Sequence, residues 1–228
     1  MPSGSTIHSG VRKVPDVMLG ERLVFGCIRD PWSWYVSYYL HALNPKTGTL
    51  TGPLAQICGN KASFSDVVET LTMPTGSALH IEPKLLGEEN AVNKKIGSVL
   101  ASSQIGLWSW TLLSSLCDMP AEEQEIRAEP PWYADVVIDA ATVEIGLAEI
   151  ISQTSVDPDP SLRFLEQAAP LNESTKPWQG VRPSGRPDPR WWTAKTIANV
   201  MKVDGALLHR FGYDRPVGAR PPLHVLRS

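Results

Sequence analysis

The stretch that most limits what this chain can become is an unbroken apolar run, Leu23-Val24-Phe25-Gly26-Cys27-Ile28, closed by Arg29-Asp30-Pro31 and followed by an aromatic series, Trp32 to Tyr39. An apolar run this short, ending on a charged turn, reads as a buried strand. Asp30 is a helix-capping residue, and Pro31 suits the first helical position because the N–H it lacks would be unpaired there anyway. A strand, a charged turn and a helix N-terminus in succession make an anion site. The helix end offers free N–H groups and a positive dipole, and Arg29 adds a guanidinium fork. Ser37 stands two turns into the expected helix, over 31–43, and brings a hydroxyl. In open α/β sheets, ligands gather at such carboxyl ends of strands.

The order repeats further on. Tyr133-Ala134-Asp135-Val136-Val137-Ile138-Asp139 reads as a second short strand, with a helix over 142–151 behind it. Strand then helix, twice, favours a parallel sheet with crossover helices. A capped helix is expected over 63–71, where Phe64, Val67, Val68 and Leu71 keep helical spacing. Others are expected within 100–116 around Trp108 and over 158–168 around Leu162 and Leu165. The clearest helix runs over 192–211, with Ile197, Val200, Met201, Leu207 and Phe211 near the 3.6 period and Gly212 as its stop. Trp108 and Trp110 are expected in the core or in a pocket wall. The 228 residues suit one α/β domain over 1–213, leaving the Pro- and Arg-rich 214–228 as a C-terminal tail.

Composition narrows the function. A net charge of −3 gives no general attraction to nucleic acid or anionic membrane, so any anion binding is local. Cys27, Cys58 and Cys117 are odd in number and widely spaced. They make neither a disulfide framework nor a zinc pattern, which points to a reducing, cytoplasmic setting. The polar start Met1-Pro2-Ser3-Gly4-Ser5 has no apolar signal core, and no run of about 18 apolar residues is present to span a membrane.

Arg29-Asp30-Pro31 with Ser37, and the Ser37-Tyr38-Tyr39 ending, resembles the 3′-phosphate motif of sulfotransferases that use 3′-phosphoadenosine 5′-phosphosulfate (PAPS). Arg210-Phe211-Gly212-Tyr213 is similar to an ending common in that family, and Leu171-Asn172-Glu173-Ser174 resembles its Asn-x-Ser. The resemblance covers about 8–213. It implies a three-layer, P-loop-related fold and sulfuryl transfer from PAPS to a hydroxyl or amine of a small-molecule or carbohydrate acceptor, with no metal. It also assigns roles: Arg29 and Ser37 hold the 3′-phosphate, and His8 is the general base, a task that suits an imidazole near neutral pH. Arg182 and Arg186, in a basic, Pro-rich loop over 176–190, would fold over the nucleotide. Ser184-Gly185-Arg186 does not match the family's Arg-Lys-Gly there.

One departure is large. The family's 5′-phosphosulfate loop follows a strand and opens a helix ahead of the His, whereas Pro2-Ser3-Gly4-Ser5-Thr6 is a faint echo with no Lys or Arg inside it. Pro45-Lys46-Thr47-Gly48-Thr49 has the composition of that loop but follows a helix and comes after the 3′-phosphate motif, so it is expected as a surface loop. The sheet is therefore expected to lack its first strand. An apolar slot beside residues 23–28 would invite self-association. The alternative is a truncated or non-catalytic relative that binds PAP, the 3′,5′-bisphosphate product, or serves as an interaction module.

Overall fold

The run at 23–28 becomes a strand over its last four residues, β1 (Phe25–Ile28). The computed structural model describes residues 23–72, 106–116, 132, 134–153, 187–214 and 223–226. After β1 come α1 (Pro31–Ala42), α2 (Gly52–Cys58), α3 (Phe64–Leu71) and α4 (Leu107–Leu116). Then follow β2 (Val136–Asp139), a 3-10 turn (Ala140–Thr142), α5 (Val143–Gln153), α6 (Ala194–Arg210) and β3 (Leu223–Val225). β1 and β2 pair in parallel, with Phe25 opposite Val136 and Ile28 opposite Asp139. Chain entry is fixed by the Val24 N–H, which donates to Asp135 Oδ2 at 2.8 Å.

Helices cover both faces of β2. Val137 alternates with Val136 and Ile138, so the three side chains point to opposite sides. Val137 joins Ile28 in the main core, where α1, α3, α4 and α6 contribute Tyr35, Val36, Val68, Trp108 and Leu207. Val136 and Ile138 meet Ile150, Val143 and Leu147 of α5 together with Leu223. Gly26 has a packing role: a Cβ there would lie 2.5 Å from Leu116 Cδ2, so α4 sits against bare backbone. Aromatic rings lock α1 to the loop before α6, with Trp192 edge-on to Trp32 at 5.0 Å and to Phe64 at 5.1 Å.

The α/β reading holds, with differences in the sheet. It is mixed rather than parallel throughout, because β3 runs antiparallel to β2. Residues 223–225, expected in the tail, supply that third strand. The order β1-β2-β3 puts β1 at the edge of the described strands instead of the interior. β1 is also not buried on both faces. Leu23 is 46% exposed and Phe25 48%, and Cys27 is exposed with them. These alternate residues share one face. On that face α5 packs over β2 and β3 and does not extend across β1.

The helices follow their local signals. Asp30 caps α1, Ser63 and Asp66 form a reciprocal capping box on α3, and Thr193 pairs with Thr196 on α6. α6 ends in a Schellman motif: Gly212 has φ 68, its N–H reaches His209 O at 3.1 Å, and the Tyr213 N–H reaches Leu208 O at 2.8 Å. The buried stripe of α6 carries Val200, Val203, Asp204 and Leu207, whereas Met201, expected inward, is 42% exposed. The seven-residue α2 was not among the expected helices. The helix expected over 158–168 lies outside the described residues. Among the described residues no helix is long and apolar enough to cross a membrane.

Candidate functional site

Arg29 follows directly on Ile28, so it stands at the carboxyl end of β1, and its side chain is half-buried. Burial pulls the guanidinium pKa down, and the adjacent Asp30 charge partly offsets this.

The turn around it is tied from three sides. The Trp108 indole N–H of α4 donates to the Arg29 carbonyl at 2.9 Å. Tyr213 Oη donates to the preceding carbonyl, that of Ile28, at 3.4 Å. Asp30, 4% exposed, accepts from the Ser33 N–H at 2.8 Å through Oδ1, and its own carbonyl receives the Trp34 N–H at 2.9 Å.

The Asp30 cap corrects one expectation. The N-terminus of α1 does not present a full set of free N–H groups to a ligand. Pro31 has none, and that of Ser33 is bound to Asp30. Asp30 also brings its own negative charge to the positive end of the dipole. An anion at this turn would therefore depend on the Arg29 side chain more than on the helix end. Ser37, half-buried, stands one helical turn beyond the fully buried Ser33, on the same face of α1.

Behind Trp108 lies a buried acid that the sequence reading missed. Asp204 of α6 is fully buried and accepts from Tyr35 Oη at 2.9 Å and from the Ser109 N–H at 3.1 Å. It thereby joins α1, α4 and α6, and closes the first turn of α4 from outside that helix. Burial pushes its carboxyl pKa up to about 6. Gly106 makes this approach feasible, because a Cβ there would overlap the Asp204 carboxylate. The available signal was positional: Asp204 sits one turn after Val200 and one turn before Leu208, inside the apolar stripe.

His8, Arg182 and Arg186 lie outside the described residues. Of the basic loop, residues 187–190 are described, and there the Arg190 guanidinium is held by Asp188 through Nε at 2.9 Å. The Pro45–Thr49 segment is an exposed loop between Leu43 and Leu50, as expected. Its amides turn inward: Lys46 N–H to Asn44 Oδ1 at 2.9 Å, Gly48 N–H to Asn44 O at 2.9 Å. The Thr47 and Thr49 hydroxyls bond each other at 2.7 Å. A loop wired this way has few donors left to converge on a phosphate. Among the described residues no group of three or more His, Cys, Asp or Glu side chains is disposed to hold a metal ion. Set against protein-family models, curated proteins and solved structures, the chain finds no significant match in any of the three.

Proposed function

We propose that this chain is a sulfotransferase-like domain, with a P-loop-related three-layer fold, that binds the nucleotide of PAPS at the carboxyl end of β1. The observation that carries the reading is the placing of Arg29: a half-buried guanidinium on the residue that closes a parallel strand, immediately before a capped helix bearing Ser37. In this reading Arg29 and Ser37 grip the 3′-phosphate, and Arg182 and Arg186 fold over the nucleotide. His8 takes the proton of an acceptor hydroxyl or amine as its lone pair attacks sulfur. The bond from sulfur to the 5′-phosphate oxygen breaks, and PAP leaves with the electron pair. Such a transfer is driven mainly by alignment and by stabilisation of charge on the leaving oxygen.

PAP is then expected to raise the melting temperature, and Arg29→Ala to remove the effect. A hydrogen bond to a charged group contributes about 1.5–3 kcal/mol, so affinity should fall tenfold or more. Equal PAP binding by wild type and variant in calorimetry refutes the assignment.

A second reading, a non-catalytic relative that binds PAP or acts as an interaction module, is favoured by the inward amides of the 45–49 loop. Losing one preorganised donor at a developing negative charge costs roughly 100- to 1000-fold in rate. Radiolabelled PAPS with sugar, phenol and amine acceptors separates the readings: brisk transfer that His8→Ala abolishes excludes the second.

A further inference from the structure

We infer that Trp108 and Tyr213 are positioning residues for the Arg29 site, acting by gripping the two consecutive carbonyls that end β1. The inference rests on the reading of Arg29 as a phosphate ligand and extends it to residues that need not touch the nucleotide.

The carbonyl oxygens at the carboxyl end of a parallel strand carry partial negative charge. An anion arriving there meets them as well as the guanidinium. Here both are engaged from the protein side, Ile28 O by the Tyr213 hydroxyl at 3.4 Å and Arg29 O by the Trp108 indole at 2.9 Å. Engaging them offsets the repulsion and fixes the peptide planes on either side of the Arg29 Cα. The direction in which the Arg29 side chain leaves the backbone, and the Asp30 cap one residue later, are set by the same two planes.

Both donors are themselves anchored. Trp108 and Tyr213 are each 2% exposed and meet edge-to-face at 6.0 Å. Trp108 precedes Ser109, whose N–H is bound to buried Asp204. Tyr213 is placed by the Schellman turn of α6, and its carbonyl accepts from the Trp32 indole at 3.4 Å. The Arg-Phe-Gly-Tyr ending thus does more than stop a helix: it delivers a hydroxyl to the strand beside Arg29.

A contact that only supports the core would lower stability without changing which ligand is preferred. The deciding readout is therefore the affinity ratio of PAP to adenosine 5′-phosphate, which lacks the 3′-phosphate. Trp108→Phe keeps an aromatic ring and removes the N–H. Tyr213→Phe removes a single oxygen. Calorimetry on the full chain is expected to show the ratio reduced about threefold to tenfold in Trp108→Phe, the range of one net hydrogen bond, and about twofold in Tyr213→Phe, whose contact is longer. Arg29→Ala should abolish the preference altogether. An unchanged ratio in both folded Phe variants overturns the inference and leaves Arg29 in place. No preference for PAP in the wild type overturns the nucleotide reading, and this one with it. Should Trp108→Phe fail to fold, Tyr213→Phe decides alone: an unchanged ratio there overturns the inference.

Discussion

β1 and β2 lie side by side with Ile28 opposite Asp139, and an aspartate caps the helical turn that follows each strand. Asp30 holds the Ser33 N–H at 2.8 Å, and Asp139 holds the Ala141 N–H at the same distance. Beyond that the two junctions diverge. β2 is buried at all four positions and runs through Asp139 straight into a tight 3-10 turn of small residues. β1 is buried only at Ile28 and inserts a cation, Arg29, whose carbonyl is gripped from α4. One junction completes a core, and the other presents a charge at the end of the same sheet. Similar apolar content serves both, because what separates them is how far α5 extends across the sheet.

The comparison can be broken at its strongest point first. Ile138→Ala on β2 should cost about 2–5 kcal/mol of unfolding free energy in urea titrations, as buried large-to-small changes do. A cost below about 1 kcal/mol would mean that β2 is not the packed member of the pair.

A pH series sharpens the view of the polar side behind α1. The folded pKa of Asp204, about 6, lies above the usual unfolded value of about 3.9. The folded state therefore binds this proton more tightly than the unfolded chain. The stability that the group contributes is fully present below about pH 4 and is lost as pH rises through about 6. Against Asp204→Asn as reference, the wild type should lose about 2–3 kcal/mol across that window. Parallel stability curves for the two proteins would show that the carboxyl is not held as described.

The two caps come next. Asp30→Ala should cost about 0.5–2 kcal/mol. Asp139→Ala should cost less, since the turn that Asp139 caps is three residues long. The reverse order, by thermal or urea denaturation, would remove the contrast between the junctions. The smallest effect is expected at Phe25. It is 48% exposed on the open face of β1, and Phe25→Ala should cost about 1 kcal/mol or less against the 3–5 typical of a buried Phe.

What the sequence revealed, and what it hid, divides along the same line. Asp30-Pro31, Ser63 with Asp66, and Gly212 act within a few residues of themselves, and each cap stands where its local chemistry puts it. The place of β1 at the edge of the described strands, and its uncovered face, depend on β3 and α5, more than a hundred residues away, and no local pattern carries that information. β3 is three residues long with His224 at its centre, too short to show alternation. Asp204 was hidden because a polar residue inside a helical stripe looks like its boundary until the partners, Tyr35 and Ser109, are known. Of the candidate site, the places of Arg29 after a strand and of Ser37 on the helix behind it were legible. That the turn leans on Trp108 was not, because the indole and the carbonyl it binds are 79 positions apart.

The grip on β1 has a consequence in time. Tyr213 and the carbonyl it binds are separated by 185 positions, so the Arg29 turn is finished only once the last of the described helices has been made. At about 5–20 residues per second, a ribosome delivers Tyr213 roughly 10–40 seconds after Ile28. For the first part of that interval β1 lacks its parallel neighbour, and for all of it the Tyr213 hydroxyl donor. Contacts of such long sequence separation also pay their loop-closure entropy before they return any stability, which slows the last step of assembly. Under the proposed reading, competence to hold a nucleotide should therefore arrive late and all at once. Arrested nascent chains should retain PAP only when the stall lies far enough beyond Tyr213 for that residue to have left the exit tunnel, and retention by chains stalled near β2 would show that the N-terminal turn forms on its own.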